Sequence, residues 1–163
     1  LWSEGQKPAI DVGKSVSRVG GKTQLPVLRR VSESLRLGYA QFLELEVFTR
    51  FGGAIDQRTQ KVIDRGRRVR AALLQPQFQP LSTAHQVALL QSIEDGLLDG
   101  AEVAMVGRFR DAVLTLLTGE LAMLALRIEQ GAVLTDEEQK QLRTAMQAVV
   151  ARLEASEGTD VRS

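Results

Sequence analysis

The stretch Pro26-Val27-Leu28-Arg29-Arg30-Val31-Ser32-Glu33-Ser34-Leu35-Arg36-Leu37-Gly38-Tyr39-Ala40-Gln41-Phe42-Leu43-Glu44-Leu45 decides the fold class. Leu28, Val31, Leu35, Phe42 and Leu45 recur at three- and four-residue steps, with Gly38 filling one slot, which is the apolar stripe of a long amphipathic helix. Phe51-Gly52-Gly53 stops it. The same period continues downstream. Asp56 can cap a second helix whose apolar side holds Ile55, Val62, Val69 and Leu73. Pro76 and Pro80 punctuate a short loop, and Ser82 caps a third helix through Val87, Leu90 and Ile93 that ends at Gly96 and Gly100. A fourth carries Val103, Val106, Phe109, Val113 and Leu117, with Gly119 bending or breaking it before Leu121 to Ile128. Thr135-Asp136-Glu137-Glu138 is a capping box, with the acid three positions after the threonine. It opens a last helix through Leu142, Met146, Val149 and Leu153, and the polar tail after Ser156 is expected to be loose. The pattern predicts an all-α bundle of about five helices.

Upstream of Pro26 the character changes. Gly5, Gly13, Gly20 and Gly21 fall there with Pro8, and the one β-like run, Ala9-Ile10-Asp11-Val12, is too short to make a sheet by itself. The boundary is therefore drawn between a strand-and-loop segment, residues 1–25, and a helical domain, residues 26–163.

The chain has 163 residues, 44% apolar and 25% charged, which is enough for one core and argues against disorder. A net charge of +1 excludes whole-protein attraction to nucleic acid or acidic lipid, though not a local patch. Absence of Cys excludes disulfides and thiolate metal sites. His85 is the single histidine, which speaks against an imidazole zinc site or a Ser-His-Asp triad, so no metal site is expected. The first ten residues have neither the basic start nor the apolar stretch of a signal peptide. The most apolar stretch, Ala112 to Leu126, is interrupted by Thr115, Thr118 and Glu120 and reads as a buried helix, so membrane insertion is not expected. The chain starts at Leu1 without Met, as a piece of a longer protein would.

Several motifs suggest chemistry. Gly13-Lys14-Ser15 and Gly21-Lys22-Thr23 approach a phosphate-binding loop, but the glycine required five residues before each Gly-Lys pair is Pro8 in one and Val16 in the other. Two Gly-Lys turns are the better reading. Residues 58–70 carry Arg58, Lys61, Arg65, Arg67, Arg68 and Arg70 against one acid, Asp64. This is either the solvated face of a core helix or a nucleic-acid surface, the latter without the aromatic interleaving such surfaces use. His85 lies one turn into the third helix as a structural or surface residue. Glu137 and Glu138 are explained as helix-start acids.

Read as words, the sequence goes further. Pro8-Ala9-Ile10-Asp11-Val12-Gly13-Lys14-Ser15-Val16-Ser17-Arg18-Val19-Gly20 resembles the PAI-x-VG-x-SVSRVG segment of the α subunit of F-type ATP synthases. Phe51-Gly52-Gly53-Ala54-Ile55-Asp56-Gln57-Arg58-Thr59 resembles that family's FG-x-x-D-x-x-T loop. Arg65-Gly66, Arg68 and Leu73-Leu74-Gln75-Pro76-Gln77-Phe78-Gln79-Pro80 resemble its RG-x-R and LL-x-Q-x-Q-[YF]-x-P signature. The blocks keep the family's order and spacing, with the match weakening after about Gly96. Lys7, Asp11 and Pro76 depart from its pattern, as a divergent or second-copy subunit would.

The resemblance implies that residues 1–25 end a RecA-like nucleotide-binding domain whose phosphate loop lies upstream, and that residues 26–163 are the C-terminal helical domain. It implies that Arg18 reaches the catalytic site of a neighbouring β subunit in trans, and that Gln75, Gln77 and Pro8 line a non-catalytic nucleotide pocket. Phe51, Gly52, Gly53, Ala54, Ile55 and Asp56 would form a loop facing the rotating γ subunit. The implied partners are β and γ, in a proton- or sodium-translocating complex peripheral to an energy-transducing membrane, on the cytoplasmic side if bacterial. ATP or ADP with Mg would belong to the intact subunit, and the fragment alone would hold no cofactor and have no ATPase activity. The alternative from residues alone is a free-standing helical interaction or nucleic-acid-binding module.

Overall fold

The computed structural model describes residues 25–50, 55–74 and 80–160. The expected strand and loop in residues 1–24 lie outside them. Among the described residues there are six helices and no strand: α1 (Pro26–Arg50), α2 (Gln57–Leu73), α3 (Thr83–Glu94), α4 (Val103–Thr118), α5 (Ala122–Glu129) and α6 (Asp136–Asp160). The all-α reading holds. The sixth helix comes from the break expected at Gly119, which separates α4 from α5, so the apolar stretch Ala112 to Leu126 is shared between two helices. The polar end expected to be loose continues α6 to Asp160.

Three helix starts have a local cause. Asp56 accepts from the Thr59 amide at 2.7 Å, and Ser82 accepts from the His85 amide at 3.2 Å. The capping box closes in both directions: Glu138 N–H donates to Thr135 Oγ1 at 3.3 Å, and Thr135 N–H donates to Glu138 Oε2 at 2.8 Å. Gly96, Gly100 and Gly131 have positive φ at the turns that follow α3 and α5.

The core is arranged around α3. It packs against all five other helices, and Ala84, His85, Val87, Ala88, Leu89, Ser92 and Ile93 are all buried. A helix apolar on most sides can be stable only when surrounded. The other helices bury one stripe each, with three departures from the sequence reading. In α1 the slot assigned to Gly38 belongs to Tyr39: Val31, Leu35, Tyr39 and Phe42 are buried, and Gly38 faces solvent. In α2 the buried line is Ile63, Gly66, Val69 and Ala72, while Val62 and Leu73 are partly covered and Ile55 is exposed. Gly66 lies on this line where α2 meets Phe42 of α1. A Cβ there would lie 2.0 Å from Phe42 Cγ, so only glycine lets the Phe42 ring sit against the α2 backbone. In α4 it is Met105, with Val106, Phe109, Val113 and Leu117, that is buried, and Val103 is exposed.

Candidate functional site

Two places in the fold correspond to the residues singled out by sequence: the closed end of the α1–α2 hairpin and the connection from α2 to α3. Arg18, Pro8, Gln75, Gln77, Phe51, Gly52, Gly53 and Ala54 lie outside the described residues, so the structure brings none of them together. Ile55 and Asp56 are described, and both are exposed.

The hairpin is pinned well below its tip. Arg70 on α2 meets Glu46 on α1 through two bonds, Nη1 to Oε1 at 2.8 Å and Nη2 to Oε2 at 2.6 Å. Its Nε donates to the Tyr39 hydroxyl at 3.2 Å, and its guanidinium lies 4.7 Å from the centre of the Phe42 ring. The Glu46 bonds hold Arg70 charged, above its already high pKa. A two-point guanidinium–carboxylate pair is directional as well as attractive. Beyond this pin, Val47 and Phe48 are 56% and 59% exposed at the end of α1, and Ile55 is 41% exposed before α2. Asp56 beside them is kept ionised below the usual carboxylate range by the Thr59 amide it caps. The described residues on either side of the hairpin connection thus include exposed apolar side chains and a fixed negative charge.

The α2–α3 connection is held at both ends. At its start the Leu74 carbonyl accepts from Arg110 Nη1 on α4 at 2.9 Å. Arg110 Nε also donates to Asp111 Oδ1 at 3.1 Å, and its side chain is only 17% exposed. At the other end, the Ala84 amide donates to Glu129 Oε1 of α5 at 2.7 Å, so a second helix caps α3. His85 is buried, and its Nε2–H donates to the Arg110 carbonyl at 2.9 Å. Nδ1 has no hydrogen-bond partner among the described residues. Burial pushes the imidazole pKa down, with a smaller contribution from the Arg110 charge, so the ring is neutral with its proton on Nε2.

The basic run of α2 is mostly engaged in packing. Arg65 Nη2 reaches Glu94 Oε2 at 2.9 Å and the Glu94 carbonyl at 3.3 Å, and Arg68 Nε donates to the Ala101 carbonyl at 3.0 Å. Arg67 lies 3.5 Å from Asp64. Arg58 and Lys61 are exposed. These contacts favour a helix-face reading over a nucleic-acid surface. Glu137 and Glu138 are first-turn acids of α6, as read, and Glu138 is also paired with Arg127 at 2.7 Å.

Among the described residues, no three His, Cys, Asp or Glu side chains come together as metal ligands, and no helix is long and apolar enough to cross a membrane. A cavity of about 490 Å³ lies between α1, α3 and α6, with Val31, Val87 and Met146 in its wall and the Arg143–Asp95 pair, 3.6 Å apart, at its side. Neither Ile55 nor Asp56 lines it.

Arg110, His85, Glu46 and Arg70 were not singled out by sequence as a linked set. Their contacts span 24 to 36 residues, and no local pattern records such pairings.

Among the described residues the fold is an all-helical bundle built around one central buried helix, and the sequence comparisons say to which family of domains it belongs. Residues 24–149 match the family described as ATP synthase alpha/beta chain, C terminal domain, and the chain belongs to that family. It is 47% identical over 151 residues to ATP synthase subunit alpha 2 of Syntrophus aciditrophicus, covering 93% of this chain and 29% of that protein. It is 47% identical over 135 residues to ATP synthase subunit alpha 2 of Burkholderia thailandensis, covering 83% of this chain and 24% of that protein. With ATP synthase subunit alpha 1 of Paraburkholderia xenovorans the identity is 53% over 110 residues, covering 68% of this chain and 22% of that protein. The chain thus spans less than a third of the curated relatives it matches.

Proposed function

We propose that the chain is the C-terminal part of the non-catalytic α subunit of a rotary, proton- or sodium-translocating ATP synthase. The observation that carries this is the 47% identity across 93% of the chain to a protein named ATP synthase subunit alpha 2. In this reading the chain alone hydrolyses nothing. It works in a hetero-oligomer with β and γ subunits, peripheral to an energy-transducing membrane and on its cytoplasmic side in a bacterium. Residues 26–163 help form the α/β ring around γ. The loop from Phe51 to Asp56 faces γ, and the exposed Val47, Phe48 and Ile55 beside it supply apolar surface for a sliding contact.

Arg18 acts in trans at the β-subunit catalytic site. Phosphoryl transfer spreads negative charge over the γ-phosphate oxygens, and a planar guanidinium meets two of them while staying charged. Gly13 and Gly20 bracket the segment, which suits a finger that must reach outward. Gln75 and Gln77 contact adenine of a non-catalytic nucleotide, because an amide both donates and accepts along a base edge, and Pro8 lines the same pocket. In this reading the metal and the phosphates are held by the nucleotide-binding domain.

The test is Arg18→Lys in the assembled complex. Charge is kept and the two-point geometry is lost. An arginine finger contributes about 10³–10⁵ in rate, so turnover should fall by orders of magnitude while assembly and nucleotide binding persist. Hydrolysis at the wild-type rate would sink this assignment.

A further inference from the structure

We propose that the cavity between α1, α3 and α6 is a binding site for a single-chain amphiphile with an anionic head, of the class of medium-chain carboxylates. This goes beyond the role proposed for the subunit and does not depend on it.

The cavity is not ordinary packing. Protein interiors leave few voids larger than a water molecule, whereas about 490 Å³ is open here between side chains of the core, Val31, Val87 and Met146 among them. That volume falls within the range of small-molecule pockets, roughly 300–1,000 Å³. On α3 the wall is made by Ala88, Gln91 and Asp95, and on α6 by Gln139, Leu142, Arg143 and Met146. Each set recurs at three- and four-residue steps, so each is one face of its helix. Along α3 that face passes from apolar to polar towards Asp95, and along α6 towards Gln139. The Asp95–Arg143 pair, 3.6 Å apart, brings the two polar ends together. The cavity is therefore apolar at one end and charged at the other.

The charge selects the head. Among the described lining residues Lys140 and Arg143 stand against one carboxylate, Asp95. Asp95 also accepts from Gln91 Nε2 at 2.9 Å, so its oxygens are already engaged within the wall. Lys140 is exposed at the rim, and the Arg143 side chain is 55% exposed. Both cations can meet a carboxylate without leaving water, which spares them the cost of burial. The tail replaces water against the apolar wall, and this burial is the main source of affinity.

The experiment titrates dodecanoate, kept below its micelle concentration, into the whole 163-residue chain carrying isotope-labelled methionine methyls. Met146 lies in the wall and is buried, whereas Met123 is 75% exposed on α5 outside it. One site should saturate with a Kd of about 10–100 μM, tail burial being offset by the cost of association. The Met146 resonance should shift and that of Met123 should not. Lys140→Glu should weaken dodecanoate about fivefold at low ionic strength, less as salt rises, and should tighten dodecylammonium. Lys140→Gln should give a smaller loss, and neither exposed substitution should move the thermal midpoint. Absence of saturable binding, or a Met123 shift equal to that of Met146, overturns the proposal. If dodecanol binds as tightly as dodecanoate and Lys140→Glu alters neither, the cations take no part and the anionic head is wrong. Phosphatidylglycerol vesicles should not sediment the chain. Co-sedimentation with a Met146 shift would make a bilayer the ligand and sink the assignment of a free amphiphile.

Discussion

Gly66 and Gly38 show how differently two glycines in neighbouring helices can be employed. At Gly66 a Cβ would meet the Phe42 ring at 2.0 Å, whereas at Gly38 it would meet nothing within 4 Å. Gly66→Ala should destabilise the domain by about 1–3 kcal/mol through overpacking, read as a lower urea midpoint with an unchanged slope. Gly38→Ala should instead stabilise by about 0.5–1 kcal/mol, because alanine loses less backbone entropy in a helix. Both glycines sit near apolar stripes in the sequence, so periodicity alone cannot separate them; the facing helix decides. His85 makes a second test at this scale. Its folded pKa lies below the ordinary 6.5, because burial penalises the cation; the Arg110 charge acts in the same direction, and the Arg110 carbonyl and Asp111 oppose it. The unfolded chain therefore takes up the proton first as pH falls. Stability from the neutral ring is fully present above about pH 6.5 and is lost as pH drops from there towards the folded pKa. Urea midpoints should decline over that window in the wild type and more shallowly in His85→Gln. A slope unchanged by the substitution would mean the ring is not held neutral.

The elements divide into features legible in the sequence and features that were not, and the division follows range. Asp56, Ser82 and the Thr135–Glu138 pair were readable as caps because each acts over three residues. The ties between helices were not, because the period of a helix says which face is apolar and nothing about which helix it meets. Arg65 and Arg68 looked like part of a solvated arc and instead reach across to Glu94 and Ala101. The α1–α2 hairpin depends on such a tie. Arg70→Met would remove both bonds to Glu46 and the contact with Tyr39, leaving a carboxylate that is 20% exposed without its partner. The expected cost is about 1–3 kcal/mol. Adding Glu46→Gln should recover part of it, since the stranded charge is removed with its partner. A double variant losing the sum of the two single losses would show that the two side chains act independently.

At the scale of the whole molecule, the bundle closes on itself while the proposed chemistry does not. The core surrounds α3 on every side, from Val31 and Phe42 of α1 to Met146 and Val149 of α6. Fold class and family were legible because helix period and family wording run through the same residues. The site residues were legible only as words: the roles proposed for Arg18, Gln75 and Gln77 come from family wording, and neither packing nor spacing assigns them. A protein built this way should separate stability from ligand binding. The Gly-Lys pairs at Gly13 and Gly21 lack the upstream glycine of a phosphate-binding loop, and the proposed reading gives triphosphate binding to another part of the subunit. An adenine contact by two amides is weak unless the phosphates are held as well. A ligand that binds only the folded state raises its stability by RT ln(1 + [L]/Kd), about 2.7 kcal/mol when present at roughly 100 times Kd. Thermal melts of this chain with and without millimolar Mg-ATP should therefore superimpose, and calorimetric titration should give only heats of dilution. A rise in Tm that saturates in the micromolar range would show that residues 1–163 already contain a working nucleotide site, and the assignment of phosphate binding to another part of the subunit would have to be abandoned.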